Sequence, residues 1–280
     1  MRESIPEAAR LDDRAALVTG GGRGIGRAAA IQLAHAGADV VVTARTMDEL
    51  EETVETIAQE GGRARAIPAD VSEWAAMEEL AEKAEAAFGP TDIVVANAGI
   101  IAPVGNTWEV APDEWARNVE VNLTGVYYTA RAVLPGMVAR RRGTLIFVSS
   151  GAATHPVRSW SAYCAAKAGV DHFARTLTAE IDGEELPIRV HFLYPGIVAT
   201  GMQQKIRSIS EEDFPLVHKY RGYHQQGWLR PPEEPATLIW WLATPMAEDF
   251  HGEAVSIDDP RIRDRMARDL ESEPFQGRGE

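Results

Sequence analysis

Residues 19–26 read Thr-Gly-Gly-Gly-Arg-Gly-Ile-Gly and are the strongest indication of the fold class. They lie between a short apolar run at residues 15–18 and a helix-like segment at residues 24–36. Glycines at such a junction allow a tight turn and let a phosphate approach the free N–H groups at the start of the helix. The spacing is G-x-x-x-G-x-G, and no Gly-Lys-Ser/Thr of a P-loop follows. The stretch therefore predicts a dinucleotide-binding turn after a first strand.

The rest of the chain repeats this alternation of apolar runs and helix-like segments. Strands are predicted at residues 15–18, 40–43, 64–67, 93–96, 145–148, 190–193 and 254–257. Helices are predicted at residues 24–36, 47–60, 73–88, 112–139, 162–181 and 235–244. Nearly continuous apolar strands that alternate with helices are typical of a parallel sheet covered on both faces. We predict an α/β fold: a single doubly wound, Rossmann-type domain with a parallel seven-stranded sheet flanked by helices.

The domain is expected to span residues 15–258, between an N-terminal extension (1–14) and a C-terminal tail (259–280) that is a surface helix or an irregular end. No linker rich in Pro, Gly or Ser divides it. Residues 200–232 form a long polar segment after the sixth strand. Long segments of this kind in compact domains are usually functional, so we predict a substrate lid there.

Composition narrows the class of protein. The chain has 280 residues and a formal charge of −14, which disfavours binding to a nucleic-acid backbone. The single cysteine, Cys164, excludes an internal disulfide and fits a reducing compartment. No run of 18 apolar residues predicts a membrane span, and the charged first 14 residues do not resemble a signal peptide. The histidines show no ligand spacing, so no metal is expected. We expect a cytoplasmic protein.

The end of the second predicted strand indicates which cofactor is bound. An acidic residue there would accept hydrogen bonds from the ribose hydroxyls of NAD. The chain instead has Ala44 and Arg45, and Arg23 lies within the glycine loop. Two guanidinium groups suit a 2′-phosphate, although both arginines could simply be solvated surface residues. We predict NADP, with NAD as the alternative.

A second motif, Tyr163-Cys164-Ala165-Ala166-Lys167, places a phenol and an ammonium four residues apart on one face of a predicted helix. The ammonium is expected to lower the high pKa of the phenol and so make it a better acid–base group. Ser150 follows the fifth predicted strand, where open α/β sheets bind ligands, and its hydroxyl could stabilise an oxyanion. An incidental helix pair and a serine turn are the plain alternatives.

The order of these motifs resembles the short-chain dehydrogenase/reductase family from about residue 15 to residue 258. The family's Thr-Gly-x-x-x-Gly-x-Gly, its Asp-Val after the third strand and its Pro-Gly-x-x-x-Thr turn all have counterparts here, while Asn-Asn-Ala-Gly is changed by Ala96 at its first position. The resemblance implies that Ser150, Tyr163, Lys167 and Asn122 are catalytic. It also implies cofactor binding by Thr19, Gly20, Gly22, Arg23, Gly24, Ile25, Gly26, Arg45, Asp70, Val71, Asn97, Ala98, Gly99, Pro195, Gly196, Val198 and Thr200.

The implied reaction is hydride transfer between NADP(H) and a carbonyl or secondary alcohol. Tyr163 would exchange the proton, Lys167 would bias Tyr163 and hold the nicotinamide ribose, and Ser150 would bind the substrate oxygen. Asn122 would anchor a water that connects Lys167 to solvent. Carbonyl reduction is the expected direction. The alternatives are an NAD-dependent alcohol dehydrogenase of the same family and a non-catalytic dinucleotide-binding module.

A medium-sized, apolar or aromatic substrate is expected, without a nucleic-acid or membrane partner. The candidate pocket residues are Ile101, Val104, Trp108, His155, Val157, Trp160, Met202, Phe214, Tyr220, Tyr223 and Trp228. The family resemblance implies a homodimer or homotetramer. The run Arg140-Arg141-Arg142 could dock an acidic carrier protein, or could merely complement the dipole at the end of a helix.

Overall fold

A computed structural model describes residues 5–272 and 275 of the chain. The predicted N-terminal extension and C-terminal tail therefore lie in part outside the described residues. Seven strands form one parallel sheet in the order β3-β2-β1-β4-β5-β6-β7. Their bounds are β1 Ala15–Thr19, β2 Asp39–Thr43, β3 Arg63–Ala66, β4 Thr91–Ala96, β5 Gly143–Val148, β6 Ile188–Tyr194 and β7 Ala254–Ser256. The predicted fold class is confirmed.

The central strands β1, β2, β4, β5 and β6 each place apolar residues on both faces of the sheet. Along β1, for example, Val18 packs into one hydrophobic cluster, and Leu17 packs into a second cluster on the opposite face. A strand that is buried on both faces has a continuous run of apolar residues in its sequence. Most of the strands could therefore be predicted from such runs. The order of the strands reverses between β1 and β4, and ligands bind at such a switch point in open α/β sheets.

Ten α-helices surround the sheet in the described part of the chain. They are α1 Gly24–His35, α2 Met47–Gln59, α3 Trp74–Phe88, α4 Pro112–Val119, α5 Gly125–Arg140, α6 Ser161–Gly183, α7 Gly201–Ser208, α8 Val217–Gln225, α9 Glu233–Ala243 and α10 Pro260–Asp269. No helix among these described residues combines the length and apolar character that crossing a bilayer requires.

The structure differs from the sequence-based expectation in three segments. The single helix predicted at residues 112–139 is divided into α4 and α5 by a π-helical turn, Glu120–Thr124. The segment at residues 200–232, called the lid segment below, contains α7 and α8. In the C-terminal region, Ile262 and Met266 of α10 are buried in one of the two clusters beside the sheet. These two apolar residues lie on one face of a strongly charged helix, so the sequence signal for packing was weak.

Candidate active site

A large cleft runs along the carboxyl ends of the strands and passes over the switch point between β1 and β4. Its volume is about 1040 Å³, at the upper end of the range for small-molecule sites. One end is bounded by the glycine loop and the end of β2, and the other by α6 and the lid segment. The cleft is therefore long enough to hold an extended ligand with a second molecule beside it.

The glycine loop leaves the start of α1 open to the cleft. Arg23 occupies the N-cap position of α1 but makes no side-chain hydrogen bond to the helix. Gly24 has φ +54°, and a Cβ there would lie 3.1 Å from Thr200 Cγ2. A side chain at residue 24 would thus narrow the gap between the loop and Thr200. Uncapped N–H groups beside such a gap suit an anion such as a pyrophosphate.

Thr19 and Asn97 brace this loop against β4, and of the two only Asn97 lines the cleft. Thr19 Oγ1 accepts hydrogen bonds from the backbone N–H groups of Asn97 at 3.0 Å and Ala98 at 3.1 Å. The side-chain amide of Asn97 donates to the Thr19 carbonyl at 2.9 Å. Thr19 is almost fully buried, so its side chain holds the shape of the site.

Two arginines and one carboxylate lie at the end of the cleft near β2. Arg45 is exposed and lines the cleft. Arg23 is also exposed, and its guanidinium pairs with the Glu49 carboxylate of α2 at 3.4 Å. Glu49 lines the cleft as well, although no motif in the sequence marks it as a site residue. This end of the site therefore offers two cations and one anion to a ligand.

Asp70, which follows β3, is held by its own neighbours. Its carboxylate accepts hydrogen bonds from the backbone and hydroxyl of Ser72 and pairs with Arg117 at 2.7 Å. Although burial raises the pKa of Asp70, the Ser72 and Arg117 contacts leave that pKa below its ordinary value. Asp70 and Val71 line the cleft, and the carboxylate there is ionised at neutral pH.

Ser150, Tyr163 and Lys167 meet in the part of the cleft away from β2. Burial raises the pKa of Tyr163 to about 12, although a hydrogen bond with the Ser150 hydroxyl lowers it. The sequence-based expectation was a phenol pKa lowered by Lys167. The structure corrects it, because burial outweighs the hydrogen bond and Lys167 does not set this pKa. At neutral pH the Tyr163 phenol is protonated and can donate a proton.

Lys167 is buried beneath Tyr163 on α6. Its Nζ donates to the Val148 carbonyl at 2.8 Å and lies 5.8 Å from the centre of the Tyr163 ring. Burial lowers the pKa of Lys167 to about 8, although the Asp171 carboxylate raises it. The ammonium is therefore still the main form at neutral pH.

Asn122, on the π-helical turn, is fully buried and is absent from the described residues that line the cleft. Its side-chain amide pairs with the backbone of Ile100, accepting at 3.0 Å and donating at 2.8 Å. It also donates to Asn118 Oδ1 at 2.8 Å. These contacts fix the loop after β4, and the catalytic role that the resemblance implies for Asn122 stays a prediction.

The turn after β6 and the end of the lid segment are joined by a buried arginine. Arg230 pairs with Glu234 at 2.6 Å and with Asp258 after β7. Its backbone donates to the Ile197 carbonyl at 2.8 Å and accepts from the Ala199 N–H at 2.8 Å. With 24 arginines in the chain, nothing in the sequence distinguishes this one.

The lid segment covers the Tyr163 end of the cleft with aromatic side chains. The indole of Trp160 packs against three rings, with centroid–centroid distances of 5.8 Å to Tyr163, 5.2 Å to Phe214 and 5.3 Å to Tyr220. The predicted pocket residues that line the cleft are Ile101, His155, Val157, Trp160, Met202, Tyr220, Tyr223 and Trp228. Phe214 is fully buried behind them and Val104 packs against the same cluster. Trp108, by contrast, is 82% exposed and lies outside the cleft.

Most of the predicted cofactor residues come together in this one cleft. The residues that line it are Gly20, Gly22, Arg23, Gly24, Ile25, Arg45, Asp70, Val71, Asn97, Ala98, Gly99, Pro195, Gly196, Val198 and Thr200. Thr19 and Gly26 lie behind the loop, where a Cβ on Gly26 would clash with the Gly20 carbonyl. In the described part of the chain, no three His, Cys, Asp or Glu side chains form a group that could hold a metal ion.

The arginine run at residues 140–142 lies far from the cleft, at the edge where the strands begin. Arg140 donates to the Thr91 carbonyl, Arg141 to the Glu185 carbonyl, and Arg142 to the Asp92 carboxylate at 2.7 Å. All three guanidinium groups are thus engaged within the chain, which favours the structural interpretation of this run.

The chain is similar to several proteins of known function or structure. A family model described as short chain dehydrogenase matches residues 14–211. The chain is 36% identical over 193 residues to a 2,3-dihydro-2,3-dihydroxybenzoate dehydrogenase of Bacillus subtilis, covering 69% of this chain and 73% of that protein. It is 34% identical over 265 residues to a versicolorin reductase of Emericella nidulans, covering 91% and 97%. A crystal structure of a variant actinorhodin polyketide ketoreductase with NADPH has a TM-score of 0.80 at 29% identity, covering 87% of this chain and 95% of that chain.

Proposed function

The chain belongs to the short-chain dehydrogenase/reductase family and is an oxidoreductase of that family with a nicotinamide dinucleotide cofactor, and from this premise we propose that it is an NADP(H)-preferring carbonyl reductase. Its substrate is a medium-sized, apolar or aromatic ketone. The observation that carries the proposal is the meeting of Ser150, Tyr163 and Lys167 in the same cleft as the glycine loop and Arg45.

The residues of the cleft suit a dinucleotide. The uncapped start of α1 and the gap between Gly24 and Thr200 would receive the pyrophosphate. Lys167 would hold the nicotinamide ribose, and the turn at Pro195 and Gly196 would hold the carboxamide. When bound, the cofactor supplies the hydride.

The preference for NADP(H) rests on the arginines near β2. A 2′-phosphate carries negative charge and accepts charge-assisted hydrogen bonds, which Arg45 and Arg23 can donate. Arg45 is the better candidate because Arg23 is already paired with Glu49. One observation favours the second candidate, an NAD-dependent alcohol dehydrogenase: the Glu49 carboxylate lines the same end of the cleft and could accept the ribose hydroxyls.

The protonation of Tyr163 supports reduction. A phenol whose pKa is raised to about 12 by burial keeps its proton at neutral pH and can give it to a carbonyl oxygen that receives a hydride. The Ser150 hydroxyl donates a hydrogen bond to the same oxygen and stabilises the charge that develops there. Oxidation of an alcohol would instead require Tyr163 to lose its proton first, which burial disfavours.

The walls near Tyr163 support an apolar or aromatic substrate. Trp160, Tyr220 and Tyr223 line the cleft there together with Val157 and Met202. Apolar and aromatic walls with a few polar groups are typical of pockets for small organic ligands. We propose that the lid segment covers the substrate and excludes water from the reacting oxygen.

The same premise leads us to propose a homodimer or homotetramer. The exposed apolar side chains of Tyr127 and Val138 on α5 support it, because they are 45% and 41% exposed on the helix that the resemblance places at an interface. Sedimentation velocity would test this, and a monomer at micromolar concentration would contradict it.

The reductase proposal is tested by following oxidation of NADPH and NADH against a panel of cyclic and aromatic ketones. We expect turnover with NADPH that is abolished in Tyr163→Phe, while Tyr128→Phe, at a site outside the cleft, stays active. NADPH binding without turnover of any ketone or alcohol would instead favour a non-catalytic binding module. Turnover only with NADH would favour the NAD-dependent alternative.

A further inference from the structure

A buried carboxylate lies on the same helix as the Tyr163 and Lys167 pair. Asp171 is on α6, four residues after Lys167, and only 3% of it is exposed. Its Oδ1 accepts a hydrogen bond from the Ser149 hydroxyl at 2.5 Å, and its Oδ2 accepts one from the Tyr194 hydroxyl at 2.5 Å. Both oxygens therefore accept from O–H donors, which is the arrangement that suits an ionised carboxylate.

The two donors belong to the segments that carry the rest of the site. Ser149 immediately precedes Ser150 at the end of β5, and Tyr194 immediately precedes Pro195 at the end of β6. Asp171 thus connects the helix that bears Tyr163 and Lys167 with the two strand ends that bear Ser150 and the turn at Pro195 and Gly196. Loss of these hydrogen bonds would release three parts of the site from one another.

Asp171 also bears on the charge of Lys167. A buried ammonium is costly unless an opposite charge compensates it, and the hydrogen bond that Lys167 makes to the Val148 carbonyl is to a neutral group. Burial already lowers the pKa of Lys167 to about 8, and Asp171 is the group that raises it. Tyr163 faces Lys167 from the same helix, whereas Arg175, one turn beyond Asp171, acts on Tyr194.

We propose that Asp171 is a positioning residue of this site, whose carboxylate keeps Lys167 charged in its buried position and holds α6 against the ends of β5 and β6. The proposal rests on the proposed function, since Lys167 is taken to hold the nicotinamide ribose. Asp171 itself is not among the described residues that line the cleft.

The first test measures Lys167 without turnover. The chain has only four lysines, so protein carrying [13Cε]lysine gives four side-chain NMR signals, and Lys167→Arg identifies one of them. In Asp171→Asn we expect the pKa of Lys167 to fall by about one pH unit or more, because a nearby opposite charge is removed. The matched control is Asp182→Asn, an exposed carboxylate on the same helix that pairs with His251. An equal Lys167 pKa in Asp171→Asn and wild type would overturn the proposal.

The second test uses turnover. The pH at which kcat declines on the alkaline side should move downward in Asp171→Asn by the same amount as the Lys167 pKa, and stay in place in Asp182→Asn. A general loss of activity with an unmoved pH profile would mean a merely structural role and would overturn the proposal. Absence of any ketone reductase activity in wild type would refute the proposed function alone, since the NMR comparison does not depend on turnover.

A variant with a smaller structural change is used if Asp171→Asn does not fold. Tyr194→Phe removes one hydrogen bond to Asp171 but leaves the carboxylate charge. We expect kcat to fall about tenfold, as for loss of roughly 1.4 kcal/mol, with an unchanged alkaline decline. Wild-type kcat in Tyr194→Phe would show that the hydrogen bonds do not position the site.

Discussion

Replacement of Arg45 by alanine tests the cofactor proposal most directly. Arg45 lines the cleft beyond β2, and it makes no hydrogen bond or ion pair with other residues in the described part of the chain. Arg45→Ala should therefore change the free energy of unfolding by no more than about 0.5 kcal/mol. Any loss of affinity then reports on the ligand and not on the fold.

The size of the effect follows from the exposure of the side chain. Hydrogen bonds to charged groups contribute about 1.5–3 kcal/mol, and exposure places Arg45 near the lower limit because solvent screens the charge. Since about 1.4 kcal/mol corresponds to a factor of ten, the Kd for NADPH should rise about tenfold. The Kd for NADH should change by less than about twofold, because its ribose carries no phosphate for Arg45 to bind.

Fluorescence titration of wild type, Arg45→Ala and Arg65→Ala with each cofactor provides the assay. Arg65 is an exposed arginine on the neighbouring strand β3 that lies outside the cleft, so it controls for loss of a general positive charge. The difference between NADPH and NADH should also shrink as salt is added. An unchanged ratio of the two affinities in Arg45→Ala would refute the reasoning, as would tighter binding of NADH in wild type.

Three further outcomes are expected. Tyr163→Phe should lower kcat/KM at least about 10²-fold and leave the Kd for NADPH nearly unchanged, since it removes the proton donor alone; near-normal turnover would contradict the mechanism. Phe214→Ala should destabilise the lid segment by about 3–5 kcal/mol, because it removes the packing of the Phe214 ring against Trp160. The loss should raise the KM for ketones and speed hydrogen exchange at residues 201–225. If neither value changes, the Phe214 ring is dispensable. Burial lowers the pKa of His191 from 6.5 to about 3, so below pH 6.5 the unfolded chain binds a proton that the folded chain does not, and stability should fall by about 1.4 kcal/mol per pH unit. In His191→Asn urea unfolding should lose this part of the pH dependence, whereas an identical slope would place the acid sensitivity elsewhere.

The sheet and the glycine loop could be predicted because their signals are local. A buried parallel strand is a short apolar run, and the turn at residues 19–26 needs glycine for reasons that the sequence displays directly. The π-helical turn was missed because its cause is not local. The side chains of Asn118 and Asn122 bind the backbone after β4, more than 15 residues earlier in the chain, and periodicity within one segment does not reveal such contacts.

In the candidate site, too, local features could be predicted from the sequence and features that depend on tertiary contacts could not. The spacing of Tyr163 and Lys167 indicated that they share a helix face, but not that burial raises the pKa of the phenol. A pKa depends on desolvation, which the sequence does not report. Glu49 was overlooked because its pairing with Arg23 joins α2 to the glycine loop through tertiary structure. Asp171, by contrast, continues the four-residue spacing of Tyr163 and Lys167, and that pattern was available in the sequence.

The two backbone hydrogen bonds between Arg230 and the residues at 197 and 199 close the lid segment at its base. The roughly thirty residues between them leave the sheet and return to it at this pair of hydrogen bonds. The length and composition of the lid segment can therefore change with little effect on the strands. The entropy of closing such a loop rises only slowly with its length. Exchange of the whole lid segment between homologous enzymes, cut at these two hydrogen bonds, is thus a practical route to new substrate selectivity on an unaltered sheet.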